Sequence, residues 1–470
     1  MTDCIHVRSR PVTDVRIGAR TLFFVFVLAL TARAGWGVYR LMTAPDAQAL
    51  EFPDEEQYWR MARSLAAGHG LVDEFGFRAT RMPLYPAVLS LFATFSYSVV
   101  AAKVLHWVIG AYAAVLAARL GSVFFDRHVG LLAGLWVACD PFLIFFSSLL
   151  LTETFFITTL LFLWLTAARL VVGKHELEHL SISCSDRTGH TERLLPTNQG
   201  AAHKGRRYIK KGNALGWRCW KGIGLWGALC LHLRESSAGL LALLLTLLLV
   251  FQGISKKSMG GAVMAALVIL LSLTPWAARN QRVTGSWTWL THRGGISLYD
   301  GVGPQTDGSS NLGAVQQMPS VRGLGEVEWD RYFRRAAWAA MRDDPARVVR
   351  LAGIKLARMW NPVPNVETYR SRIVRICAGA WTVPTFLLAV AGVMLLPKAV
   401  TGGAGRRAIF LLLPAVYLSL LHCFFVGSVR YRLPAMPMLE ILAALAVVVL
   451  LRLTLGVKSG EYVAQEADNV

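Results

Sequence analysis

Apolar residues along this chain come in long unbroken blocks, of which Leu240–Phe251 and Ile441–Leu451 are the clearest. A helix needs about 20 mostly apolar residues to cross a hydrocarbon core of ~30 Å. Stretches of that kind lie near 21–42, 99–121, 128–147, 153–172, 237–252, 260–276, 376–397, 408–427 and 435–455. The stretch 222–234 is shorter, but it ends at Arg234-Glu235-Ser236-Ser237, a polar turn before the next block. Residues 222–252 therefore read as a helical hairpin, and the pattern predicts an all-α polytopic membrane protein, a bundle of about ten helices.

Basic residues test that count, because short cytoplasmic loops carry an excess of Lys and Arg. With Arg8, Arg10, Arg16 and Arg20 inside, alternate connections should be basic. They are: Arg127-His128, the 173–221 loop with ten Lys or Arg against four acids, Lys256-Lys257, Lys398 with Arg406-Arg407, and Lys458. The expected organisation is a basic cytoplasmic N-terminus (1–20), an N-terminal transmembrane module (21–172) with an outer first loop (43–98), and a basic cytoplasmic loop (173–221). Central helices (222–276), an extracytoplasmic segment (277–375), C-terminal helices (376–455) and a cytoplasmic tail (456–470) follow. Segment 277–375 is Arg-rich yet placed outside, since segments beyond about 60 residues translocate largely regardless of charge. Within it Glu326–Trp360 has helical periodicity, which fits either a solvated amphipathic helix pair or one lying on anionic headgroups. Ala32-Arg33-Ala34 after an apolar run also fits a signal-peptide cleavage site. The long charged leader and Arg33 itself weigh against cleavage, and Asp54 stays outside under either reading.

Composition sharpens the exclusion of a soluble enzyme. The 470 residues are 54% hydrophobic and 17% charged, where soluble domains carry about 25% charged residues. A net charge of +20 would suggest nucleic acid in a soluble chain; here the basic residues sit between spans as topology determinants, and no nucleic-acid partner is expected. The seven cysteines are scattered without a CxxC pair, so neither a zinc site nor a disulfide framework is expected. His175-Glu176-Leu177-Glu178-His179 fits the HExxH pattern, but it sits just past a span in a charged loop with no third ligand at a recognisable spacing. A solvated charged segment is the expected reading, for His190 and His203 as well.

Candidate chemistry concentrates in the first outer loop. Glu51-Phe52-Pro53-Asp54-Glu55-Glu56-Gln57-Tyr58 is too polar to span, and its acids follow a proline, as at a helix N-terminus. Gly68-His69-Gly70 and Arg78-Ala79-Thr80-Arg81-Met82-Pro83-Leu84-Tyr85-Pro86 come next, more polar structure than a connector needs. Glu153 stands at the outer end of a span, where an ionisable residue is costly and a functional candidate by default; snorkelling from the helix end is the alternative. Asp140-Pro141, near the same face, is a weaker companion that also reads as a kink.

These residues carry a resemblance. Asp54-Glu55 followed by Tyr58, then Pro83-Leu84-Tyr85-Pro86, Leu151-Thr152-Glu153-Thr154, Gly227 through Arg234, Pro275-Trp276 with Arg279-Asn280, and Arg430-Tyr431-Arg432-Leu433-Pro434 occur in order over residues 20–455. The set resembles the dolichyl-phosphate-mannose-protein mannosyltransferase-like family, which includes the aminoarabinose transferases and other GT-C glycosyltransferases. Met82-Pro83 replaces the family's paired prolines, and Glu235 replaces the proline that usually follows Arg234.

The resemblance implies a GT-C-like transmembrane bundle with extracytoplasmic amphipathic helices. It also implies a polyprenyl-phosphate sugar donor and a hydroxyl acceptor on a protein, lipid or glycan, at the outer face of a bacterial-type plasma membrane. Transfer of the sugar requires a base for the hydroxyl proton and positive charge on the departing phosphate. By resemblance Asp54 is the base, Glu153 supports it or positions the acceptor, and Arg81 binds phosphate, a role suited to a planar guanidinium. Glu55, Tyr58 and Tyr85 are substrate-binding candidates from the same motifs, and Arg279, Arg430 and Arg432 are further phosphate candidates that interfacial anchoring explains equally well. No metal or other cofactor is required by this scheme, though His69 and His292 among outer acids leave a divalent cation open. A transporter or flippase for a lipid-linked or anionic substrate is the rival reading, and a binding scaffold a third. A transporter would place its ionisable residues near mid-membrane, whereas here they lie at span ends on one side.

Overall fold

The computed structural model describes residues 17–95, 98–172, 198–369, 371–400 and 402–456, with backbone alone for 198–215 and Thr368. The described residues are helical and contain no strand. Helix α1 (Ala19–Thr43) is followed by the short amphipathic α2 (Pro53–Ala66) and α3 (Leu84–Ser90). Four helices follow: α4 (Ser98–Phe124), α5 (Arg127–Cys139), α6 (Pro141–Phe146) and α7 (Glu153–Val171). Next come α8 (Asn198–Leu233), α9 (Ala238–Gln252) and α10 (Lys256–Thr284). An outer group comprises α11 (Gly294–Val302), α12 (Leu312–Gln316), α13 (Glu326–Asp343) and α14 (Pro345–Met359). The chain finishes with α15 (Arg372–Ala399), α16 (Ala404–His422), a 3-10 turn at Val429–Ala435, and α17 (Met436–Thr454).

Eight of these helices are long and apolar enough to cross a membrane, and the all-α polytopic fold expected from the sequence is present. Two of the ten expected spans take other forms. The third, 128–147, breaks at Asp140, because Pro141 has no N–H to continue the α5 ladder and Asp140 instead caps Leu143 N at 2.8 Å. The fifth, 222–234, is the end of the 36-residue α8, whose first turns lie in the segment expected to be loop. Charge in those turns hid a helix that apolar patterning cannot see. The hairpin turn expected after it is present as a 3-10 turn at Glu235–Ser237. The HExxH segment and His190 lie outside the described residues.

The bundle is organised around its last helix. In Val429–Thr454 89% of the apolar window is buried, against 28% in α1, so this stretch is the axis and α1 one of the walls. Small residues let neighbours approach closely: a Cβ on Gly392 of α15 would stand 2.0 Å from the Leu442 carbonyl oxygen of α17.

The outer helices form a second, smaller apolar cluster of Ile296, Val315, Val321, Trp329 and Phe333, against which Phe77 of the first loop packs. Glu326, at the start of α13, accepts hydrogen bonds from Arg78 N at 2.8 Å and Ala79 N at 2.7 Å. Asp73 accepts from Phe75 N and Phe77 N at 2.9 Å each, and from the Thr80 hydroxyl at 2.9 Å. These bonds fix the loop that carries Arg81.

Candidate active site

Helix α2 begins where Pro53 occupies its first turn, and its first-turn acids lie at the positive end of the helix dipole. Two of those acids have opposite fates. Glu55 is fully buried and accepts backbone N–H bonds from Glu51 at 3.0 Å, Phe52 at 3.1 Å and Leu150 at 2.7 Å. It clamps α2 to the α6–α7 connection. Asp54 points the other way, its side chain 28% exposed into a cavity of about 720 Å³.

Three arginines converge on Asp54 from three parts of the chain. Arg81 of the first loop donates to Oδ1, Arg430 of the 3-10 turn donates to Oδ2 at 2.6 Å, and Arg293 of the outer segment lies 4.0 Å from Oδ1. Arg430 also donates through Nε to Glu153, the fully buried first residue of α7. Arg234, at the hairpin turn, lies 3.4 Å from the same Glu153 oxygen. Gln57 accepts from Arg81 Nε at 2.7 Å and from Arg293 at 3.2 Å. The Arg81 guanidinium lies 4.7 Å over the Tyr58 ring.

Burial pushes the Asp54 carboxyl up, but the charges of Arg81, Arg430 and Arg293 outweigh it and hold the group well below the ordinary aspartate range. Charge counting gives the site its character. Four guanidiniums (Arg81, Arg234, Arg293, Arg430) face two directly paired carboxylates, with Glu235 nearby held by the Thr291 hydroxyl at 2.7 Å. Asp300, held by the Ser310 hydroxyl at 2.6 Å, also lines the cavity, so the positive excess is local to Asp54, where three guanidiniums surround one carboxylate and are placed to receive an anion. The other wall of the cavity is apolar, with Leu233, Leu421, Phe425 and Val426.

Of the residues singled out from sequence, Asp54, Tyr58, Arg81 and Arg430 line the cavity, and Glu153 touches it through Arg430. The remainder stand elsewhere. Glu55 is the helix clamp described above. Tyr85 is fully buried behind Tyr58, edge-on to its ring at 4.9 Å, and shares a 3.0 Å hydrogen bond with His106 Nε2. Arg279 donates to the Arg78 carbonyl and, at 3.1 Å, to Asn280. Arg432 is fully buried, bound to the carbonyls of Met359 and Asn361, with Phe142 and Phe386 against its guanidinium. In the Arg-Tyr-Arg motif the two arginines point to opposite sides of the 3-10 turn, which spacing alone could not assign.

Sequence reasoning did not select Arg234, Arg293 or Gln57. Arg234 carried a usable signal, an ionisable residue at the outer tip of an apolar hairpin. Arg293 carried none, since its partners Gln57 and Asp54 lie more than 200 residues away in the chain, and Gln57 is a neutral side chain whose partner Arg81 nothing in the local pattern points to. Among the described residues no group of three or more His, Cys, Asp or Glu side chains is placed to hold a metal ion.

No family model matches the chain, and no curated protein matches it. Among solved structures it is similar to the archaeal oligosaccharyltransferase AglB from Archaeoglobus fulgidus, described in complex with an inhibitory peptide and a dolichol-phosphate. The TM-score is 0.53 at 13% identity, over 93% of this chain and 51% of that one. ArnT from Cupriavidus metallidurans, bound to undecaprenyl phosphate, gives a TM-score of 0.45 at 13% identity, over 91% of this chain and 59% of that one. The chain thus spans about half the length of the oligosaccharyltransferase it matches. The likeness to AglB is one of fold: the described helices form a transmembrane bundle of the kind found in that oligosaccharyltransferase.

Proposed function

We propose that this protein is an inverting membrane glycosyltransferase that moves a sugar from a polyprenyl-phosphate donor to a hydroxyl acceptor at the extracytoplasmic face. The observation that carries the reading is the half-open Asp54 carboxylate ringed by arginines in a cavity with one cationic and one apolar wall. A lipid-linked phosphate has that same division of chemistry. The oligosaccharyltransferase with this fold is described with a dolichol-phosphate, which supports a donor of that class.

The geometry also constrains the mechanism. Asp54 paired with two arginines is a weak base, because ion pairing lowers its proton affinity. A donor phosphate offers Arg81, Arg430 and Arg293 a competing anion with more acceptor oxygens. As the arginines turn to it, Asp54 regains basicity in a site the donor has dried. The acceptor oxygen then attacks the anomeric carbon, and the bond to the phosphate oxygen breaks with its electron pair left on polyprenyl phosphate. Asp54 takes the hydroxyl proton. A single displacement inverts the anomeric centre. Glu153 is the fixed counter-charge that keeps Arg430 and Arg234 in place once Asp54 lets go.

The test measures release of free polyprenyl phosphate by purified protein from a panel of labelled polyprenyl-phosphate sugars, with an acceptor extract present. Wild type releases it, and D54N is slower by about 10²–10⁴-fold, the usual contribution of a general base. Equal rates in the two proteins remove Asp54 from the chemistry. No release by folded wild type from any donor removes the transferase reading and favours transport.

A further inference from the structure

The cavity that holds Asp54 has a third face, neither cationic nor apolar, that the reaction above leaves without a task. It is built by α11 and α12 of the outer group and presents Ser297, Asp300, Ser310, Asn311 and Gln316. Helical spacing lines up its first part. Arg293, Ser297 and Asp300 stand at i, i+4 and i+7 and so share one side of α11. At 1.5 Å per residue that side runs about 10 Å. Arg293 marks one end, where its guanidinium lies 4.0 Å from Asp54, and Asp300 marks the other. The helix is held on both flanks. A Cβ on Gly295 would stand 2.1 Å from the Asp330 carbonyl oxygen of α13, and one on Gly301 2.2 Å from the Phe424 carbonyl oxygen just beyond α16. Such backbone contact makes α11 a rigid mount, as a site that discriminates by hydrogen bonds requires.

The polar groups of this face are uncommitted. The Ser297 hydroxyl and the Asn311 and Gln316 amides have no hydrogen-bond partner among the described residues. Asp300, at 6% exposure, accepts one bond on each oxygen, from the Ser310 hydroxyl at 2.6 Å and Asn311 N at 2.8 Å. An ionised carboxylate has about four acceptor sites, so about two remain for further O–H donors. A hydroxyl and two amides beside such a carboxylate suit a ring of hydroxyls, each of which both donates and accepts. The position suits it as well. With the donor phosphate on the arginines and its chain against Leu233, Leu421, Phe425 and Val426, this face is what is left for the sugar on the same phosphate.

On that transferase reading, we infer that Ser297, Asp300, Asn311 and Gln316 form the subsite that selects the donor's sugar, and that this sugar is a neutral polyhydroxy ring. A uronic acid would set a second carboxylate against Asp300, a like-charge contact that excludes it.

Equilibrium binding to the purified full chain in lipid nanodiscs tests the assignment. The ligands are the sugar-free methyl ester of polyprenyl phosphate and non-hydrolysable analogues of polyprenyl-phosphate sugars carrying neutral, amino or uronic rings. Wild type binds one neutral-sugar analogue tighter than the methyl ester, which has the same phosphate charge, by about tenfold or more; it binds the uronic analogue no tighter. S297A and Q316A, whose side chains hold nothing else in the described protein, each cut that gain by about three- to tenfold and leave the affinity for the methyl ester as it was. D300N removes most of the gain, and with it the bias against the uronic ring. A gain that survives S297A, Q316A and D300N overturns the inference, as does a preference of wild type for the amino or uronic analogue. Equal affinity of wild type for every ligand overturns it too, with phosphate binding left intact. If the methyl ester itself fails to bind, the transferase reading falls and the subsite with it.

Discussion

Arg430 is the residue on which the site turns, because it is bonded at once to the exposed Asp54 and the buried Glu153. A guanidinium can serve two carboxylates through separate N–H edges, and a lysine ammonium cannot hold both in one plane. Removing the acid and removing the base therefore have separable effects. In D54N the arginines have lost their internal competitor, so donor binding tightens by about tenfold while turnover collapses, given roughly 1.5–3 kcal/mol for a charge-assisted hydrogen bond. Equilibrium binding of a non-hydrolysable donor analogue, set beside the rate, checks that split. R430A loses donor affinity and turnover together. An affinity in D54N equal to that of wild type would show that phosphate and Asp54 do not compete for the same arginines.

At the scale of elements, two contacts hold the working parts to the bundle. Helices α15 and α17 touch backbone to backbone at Gly392. A methyl group there meets the Leu442 carbonyl, and overpacking of that kind costs about 1–3 kcal/mol. G392A therefore lowers the melting temperature, and an unchanged melt would show that the helices part freely. Lys355 docks α14 on the end of α16, donating to the carbonyls of Cys423 at 2.9 Å and Phe424 at 3.0 Å. Burial pulls its ammonium down to about 8, with Cys423 and Asp300 opposing and Arg347 adding to the shift. Above that value the folded protein has released a proton that the unfolded chain still holds near its ordinary 10.5. The Lys355 contribution to stability therefore rises as pH climbs from about 8 toward 10.5. Melting temperatures of wild type and K355M across that range should converge or cross, with wild type gaining; parallel curves would contradict the shift.

At the scale of the whole molecule, the charges suggest an orientation that labelling can test. We propose the orientation that puts the basic connections inside, in which Trp338 on the exposed face of α13 would lie outside the cell and Lys256, between α9 and α10, within. In a cysteine-free background W338C reacts with an impermeant maleimide on intact cells, and K256C reacts after permeabilisation. The reverse pattern would turn the molecule over and place the cavity on the cytoplasmic side.

The all-α, multi-span nature of the chain and eight of its ten expected spans were legible in the sequence, because crossing a hydrocarbon core is a demand each segment meets alone through its own length and composition. So was the clustering of charge in the first loop. Acids after a proline and an arginine before a Pro-Leu-Tyr-Pro turn are local patterns, and Asp54 and Arg81 do meet. What tertiary structure decided is which side each polar residue faces and which distant residue it finds there. Glu55 beside Asp54, and Arg432 two residues from Arg430, turn away from the cavity into the packed interior. Arg234 and Arg293 turn toward it. Local sequence carries no record of those choices, since the ion pairs of the site join segments up to 376 residues apart and arise only once the bundle has closed around α17.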